Sequence, residues 1–304
     1  MKQKMKLRRK VISYVLALVM VLSTFTGIMP GTSLTAQAAT TVYYLDANGT
    51  TKSISDYTSV SSSNSAVTWG SGWYVVSAND MSINNLITVN SEANLILCDD
   101  ATLTVSRSIS NDYAFKVANG TLNIYAGSTS KTINGNGKMN VSNPLHYGIG
   151  IQSGSSVTVN GGTVNGSGSP LGIENKGIFT VNGGTVIGSS SNGSGIQNTE
   201  KNSTIIVNGG KVTATGTNFG IEAYYGNFTV NGGEITARGG EDSGNKALRG
   251  NNVTLGTGME LYESDDGSTY TLVNGTTSSK KYIQIKPKPV AVTGVTLNKT
   301  ETTL

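Results

Sequence analysis

Four Gly-Ile pairs of this chain are followed by a polar residue, giving Gln152, Glu174, Gln197 and Glu222. Two carboxylates can serve as acid and base only if both reach one substrate bond. If the segments that carry them stack as neighbouring strands, Glu174 and Glu222 lie two strands apart, about 9.6 Å from backbone to backbone. That falls near the upper end of the separation found in inverting glycosidases. A simpler reading outweighs it. Alternating Glu with Gln keeps two like charges from stacking directly on one another, which would destabilise a sheet.

The tyrosines beside Glu222 offer different chemistry. Tyr224-Tyr225 follow it closely, and strand alternation should expose one of the two rings. An aromatic ring near amides and carboxylates makes a platform on which a sugar can stack, apolar on its face and polar at its rim. The expected ligand-binding residues are therefore Gln152, Glu174, Gln197, Glu222, Tyr224 and Tyr225, with Phe219 in the same patch or in the core. Glu174 and Glu222 double as the catalytic pair of the alternative, enzymatic reading.

Other candidates are weaker. His146, the sole histidine, stands beside Tyr147 with no acid or serine motif around it, and reads as a surface or cap residue. Asp99-Asp100 and Asp265-Asp266 carry oxygens that suit calcium, but neither pair lies in an Asp-x-Asp-x-Asp-Gly loop, so both read as turn acids. Cys98 is the only cysteine, which excludes an intrachain disulfide; within Asn94-Leu95-Ile96-Leu97-Cys98 it reads as a small buried residue. The sequence holds no nucleophile elbow, phosphate loop or zinc-protease helix motif. No cofactor or metal is expected.

What must position these residues is a repeat. Val-Asn-Gly-Gly occurs at Val159, Val181, Val207 and Val230, with 22, 26 and 23 residues between successive asparagines. Such periods mark a solenoid of stacked units. Within a unit, pairs such as Val157 with Val159, Phe179 with Val181, Ile205 with Val207 and Phe228 with Val230 alternate with polar residues, as in a half-buried strand. One further inward residue follows each corner: Val164, Val186, Val212 and Ile235. Asn-Gly often marks a hairpin, but hairpins would give no reason for residue types to match between repeats. A coil with one turn per repeat explains the matching, with the glycine supplying a positive φ and the asparagines stacking as an amide ladder. The alternation of Ile87, Val89, Leu95, Leu97, Leu103 and Val105 reads as earlier rungs of the same coil. Alternation also places Thr163, Thr185, Lys211 and Glu234 in one outward column, with Lys211 and Glu234 as neighbours.

The corners and the stretch Trp73 to Val105 resemble right-handed parallel β-helix proteins of the pectin-lyase-like class, particularly surface proteins of Gram-positive bacteria. The likeness spans about residues 73–285 and implies an all-β solenoid with an N-terminal cap, of eight or nine turns. Val292 to Thr300, after the stiff Pro287-Lys288-Pro289, resemble the opening strand of a bacterial Ig-like group 2 domain.

Residues 1–38 read as a signal peptide: six basic residues from Lys2 to Lys10, an apolar run Val11 to Met29, and Ala36-Gln37-Ala38 for cleavage. Their removal leaves 16 of the 22 bases against 18 acids, a net charge of −2 in place of +4. The basic balance is therefore no argument for nucleic acid. The expected organisation is signal peptide 1–38, cap 39–82, parallel β-helix 83–286, and linker with the truncated Ig-like strand 287–304. The expected product is a secreted or wall-associated monomer without a membrane span, binding polysaccharide or a cell-surface glycan and not acting as an enzyme. The alternatives are a β-helix lyase or hydrolase, and a structural spacer.

Overall fold

A computed structural model describes residues 40–289 apart from Asp242, Ser243 and Asn245. The signal peptide read at 1–38 and the Ig-like strand read at Val292–Thr300 lie outside the described residues. Among the described residues the regular structure is entirely strand. The chain coils, laying down three short strands per turn, and equivalent strands of successive turns pair in parallel.

The first face of the coil runs through Ile87–Val89, Tyr113–Val117, Tyr147–Ile151, Leu171–Asn175, Ser194–Asn198 and the opening halves of Phe219–Val230 and Lys246–Leu255. The second includes Glu92–Cys98, Thr121–Ser128, Ser156–Val159, Ile178–Val181 and Thr204–Val207. The third face stacks seven parallel strands from Met81–Ile83 to Glu234–Arg238, which sets about seven turns in place of eight or nine. Parallel pairing begins as early as Thr58–Ser59 against Tyr74–Val75.

Alternation explains the interior. Val157, Phe179, Ile205 and Phe228 stack as partners on consecutive rungs, as do Val159, Val181, Val207 and Val230, and all eight are buried. Each fully buried side chain of this size contributes about 1.5–3 kcal/mol relative to exposure. No rung could bury these residues alone, so stability comes from the stack.

The corners form as their composition requires. Gly162, Gly184, Gly210 and Gly233 all sit at φ between 71° and 80°. The corner asparagines form an amide ladder: Asn182 donates to Asn160 at 2.8 Å, Asn208 to Asn182 at 2.9 Å and Asn231 to Asn208 at 2.9 Å. A second ladder lies inside the coil, where fully buried Asn175 donates to Asn198 at 2.7 Å. Asn175 also donates to the Thr204 carbonyl and accepts from the Gly177 amide, and so closes the corner that leads to the second face.

Both ends depart from the parallel pattern. Near the N-terminus, Val42–Leu45 and Thr51–Ile54 form an antiparallel hairpin whose Tyr43 and Tyr44 pair with Ser128 and Gly127, at the overhanging end of a long second-face strand. Tyr44, Trp73 and Tyr125 pack against one another there, 4.8–5.6 Å between ring centroids. At the C-terminal end, Tyr282–Pro287 pairs antiparallel with Glu234–Arg238 and with Met259–Ser264, and carries Ile283 and Ile285 over the last turn. The stretch expected to be parallel through residue 286 therefore ends in antiparallel strands. Period-two alternation is common to both kinds of sheet, so the pattern alone could not separate them.

Candidate functional site

Glu174, Gln197, Glu222 and Arg249 stand side by side on four consecutive rungs of the first face. Gln152, expected in this column, is not part of it. Glu174 is the partner of Gly150, and Gln152 lies two residues further along. The cause is the doubled Gly148-Ile149-Gly150-Ile151: both Gly-Ile pairs fit the repeat, and a slip of two residues keeps every side chain on its own face.

Gly150 has a use. A Cβ there would lie 2.2 Å from the Tyr113 ring, so glycine is what lets that ring lie over the rung. The Tyr113 hydroxyl donates to Glu174 Oε2, and Lys176 Nζ approaches the same oxygen at 3.1 Å and the hydroxyl at 3.3 Å. Glu174 is thereby only 3 % exposed, although alternation turns it away from the core. Burial, and then the bond to Glu174, push the Tyr113 phenol up to about 12. For Lys176 burial works against the charge, but attraction to the Glu174 carboxylate outweighs it and raises the pKa.

A second clamp of the same kind forms two rungs away. Arg249 Nη1 lies 3.2 Å from Glu222 Oε1, Ser194 Oγ donates to Glu222 Oε2 at 2.8 Å, and Glu222 is 8 % exposed. The Arg249 guanidinium also lies over the rings of Tyr224, at 4.5 Å, and Phe219, at 5.0 Å. Phe219 thus belongs to this patch.

Tyr224 and Tyr225 are both exposed, with their rings edge to face at 5.1 Å; Tyr225 is 55 % accessible. Alternation had allowed one exposed ring. The second appears because the register shifts between Ala223 and Asn227, and the period of two lapses where the strand turns the corner. Between the two clamps, the Gln197 amide has no hydrogen-bond partner among the described residues.

As an acid and base pair, Glu174 and Glu222 are poorly placed. Each carboxylate is covered and already holds a cation and a hydroxyl, so a glycosidic oxygen would have to displace those partners first. The arrangement is suited to binding: rigid charges below, open aromatic rings and a free amide above.

The remaining candidates have structural roles. His146 Nδ1 lies 3.1 Å from the Asp112 carbonyl with its ring against Tyr147. Asp99 accepts the backbone amides of Asn134 and Gly135, each at 2.8 Å, and so pins a loop of the adjoining turn. Asp266 accepts from Thr269, Ser268 and Ser264, and these bonds hold its carboxyl well below the usual carboxylate range. Asp265 pairs with Lys280 at 2.7 Å. Cys98 is buried, and that burial, followed by the charge of Asp99, pushes its thiol up to about 11, which leaves it protonated at neutral pH. Thr163, Thr185, Lys211 and Glu234 form their expected column on the third face.

A separate cavity of about 430 Å³ opens between Thr58–Ser63 and Trp69, Tyr74 and Ile83. Its tryptophan is 2 % exposed and stacks on Tyr74, so the ring is engaged in packing. Tyr113, Lys176 and Arg249 had no signal in the sequence apart from the glycine at 150, whose meaning depends on a ring 37 residues earlier in the chain.

Comparison with family models, characterised proteins and solved structures gives no match. The inference to function therefore rests on the site itself.

Proposed function

We propose that this chain is a non-catalytic, extracellular β-helix module that binds glycan on its first face, with Tyr224, Tyr225 and Phe219 as the stacking surface and Glu222 and Arg249 beneath it. The observation that carries this reading is the pair of neighbouring tyrosines raised into solvent by the register shift between Ala223 and Asn227. Beyond the Arg249 contact and their own edge-to-face contact, the two rings leave apolar area in water. A pyranose ring covering them would bury that apolar area. The guanidinium over the Tyr224 ring holds that platform in place.

The surface location rests on the basic and apolar character of residues 1–38. The kinship with right-handed, pectin-lyase-like surface proteins of Gram-positive bacteria, and the Ig-like strand after Pro289, belong to the same reading and rest on sequence resemblance alone.

A glycan array probed with the full chain, alone and as Tyr224→Ala/Tyr225→Ala, tests the proposal. Specific retention by the wild type and its loss in the double variant is the expected result. Equal retention by both would place the binding away from these tyrosines and overturn the site, and no retention by either would leave a structural spacer as the better description.

A further inference from the structure

We propose that the N-terminal end of the coil is a self-association surface, on which a second copy of this chain docks head to head through the first rung. This goes beyond the glycan-binding reading and does not depend on it.

The first rung consists of Thr58–Ser59, Ser63 and Val67–Trp69, each paired with the next rung on one side. Among the described residues no strand lies on the other side. The preceding hairpin pairs through Tyr43 and Tyr44 with Thr121–Ser128, three rungs further along, and so leaves this end bare. The cavity of about 430 Å³ is the mouth of the coil. Ser63, Val67 and Trp69 stand over the buried Ile83, Ile87 and Val89 of the next rung, and Val60 and Val67 pack on that core while only half-buried.

The edge also has backbone groups to spare. The Val67 N–H donates to the Leu86 carbonyl, and the Trp69 carbonyl accepts from Asn90. Alternate residues of a parallel ladder serve opposite neighbours, so Thr68 between them turns its N–H and C=O towards the bare end. Ser59 does the same beside Val60, whose N–H donates to Val75. Edges of this kind are ordinarily blunted by charge or proline. Neither occurs from Tyr57 to Ala78, whereas the last rung, Lys246–Leu255, carries Lys246 and Arg249, and antiparallel strands close the third face there. A two-fold axis at Thr68, normal to the first face, sets Val67–Trp69 antiparallel to its copy. The two Thr68 residues then exchange both N–H···O bonds, and Val67 of one copy meets Trp69 of the other on the interior side, so that the cores join. Two uncharged ends bring no like charges together. Because the same patch serves on both copies, association stops at two. Tyr57–Gly70 is a smaller patch than the roughly 20–30 residues a side of a standard interface, which sets a weak dimer with a Kd on the order of 10 µM.

The test is sedimentation velocity of the chain without residues 1–38, which keeps every described strand, at loadings from about 1 to 200 µM. The sedimenting species should pass from monomer to dimer across that range, with nothing larger. Thr68→Pro removes an N–H that the coil does not use, and Thr68→Lys sets two like charges opposite one another across the axis. Each should weaken the dimer about tenfold or more, with the unfolding temperature at the lowest loading unchanged. Should the proline lower that temperature, the lysine variant, whose side chain stands in solvent, decides the matter alone. A monomer at every loading would overturn the proposal and leave this end to a strand from another protein. A dimer that survives Thr68→Lys would place the contact elsewhere and overturn it too, and an open series of larger species would contradict the closed, head-to-head arrangement.

Discussion

At the scale of single residues, the first face is organised by what one glycine permits. Gly150 leaves room for the Tyr113 ring, which carries its hydroxyl to Glu174 and buries a carboxylate on the outside of the coil. Ala at 150 would force that ring away, an overpacking cost of about 1–3 kcal/mol visible in denaturant unfolding. The same contact predicts an alkaline effect. The Tyr113 phenol titrates near 12 in the folded chain and at its ordinary value of 10 when unfolded, so the folded state holds the proton more tightly. The stability this supplies is complete below pH 10 and is lost as pH rises towards 12. Other tyrosines, such as Tyr125 and Tyr147, are also raised, so the Tyr113 share is isolated by comparison. Tyr113→Phe should be less stable than wild type at pH 8, with a gap that narrows between pH 10 and 12. A gap independent of pH would contradict the assignment. None of this was legible in the sequence, because Tyr113 and Glu174 are 61 residues apart and belong to different turns.

At the scale of elements, the corner was the most readable feature and the strand register the least. Val-Asn-Gly-Gly foretold the positive-φ glycine, the inward valine and the stacked asparagines, since all three follow from local backbone geometry. The placement of Gln152 failed for the opposite reason. Alternation fixes which face a residue takes but not which of two equivalent positions it fills, and Gly148-Ile149-Gly150-Ile151 offers both. The emergence of both tyrosines at Tyr224-Tyr225 was hidden as well, because a register shift is a property of paired strands. The ladder itself can be probed. Asn182 makes two ladder bonds, one to Asn160 and one from Asn208, so Asn182→Ala should lose about 0.5–1.5 kcal/mol for each. Asn175→Ala, deep in the coil, should cost more than the loss of one exposed bond, because it removes the buried bond to Asn198 and strands the Gly177 amide without a partner. Equal effects of the two substitutions on the unfolding midpoint would contradict the separate roles given to the outer and inner ladders.

For the coil as a whole, stability is distributed along a stack, and ends matter more than in a globular core. The antiparallel strands Met259–Ser264 and Tyr282–Pro287 cover the last third-face strand with Leu261, Ile283 and Ile285. Ending the chain at Gly256 would leave Ile235 and Ala237 under an open sheet edge, which invites edge-to-edge pairing. That truncation should lower the unfolding temperature and raise the fraction of high-mass species in light scattering; a monomer as stable as the full chain would show that these strands do not act as a cover. The coil was legible from periodicity, while its antiparallel ends were not, since they share the alternation of the turns they close. The coil also separates its faces, placing the aromatic corner on the first and the Thr163, Thr185, Lys211 and Glu234 column on the third. The most direct measurement is therefore a calorimetric titration of the full chain with a glycan retained on the array, comparing Tyr225→Ala on the first face with Lys211→Ala on the third. Binding through the first face predicts a Kd raised about tenfold or more by Tyr225→Ala, equivalent to about 1.4 kcal/mol, and left unchanged by Lys211→Ala. Loss through Lys211→Ala with Tyr225→Ala silent would contradict it.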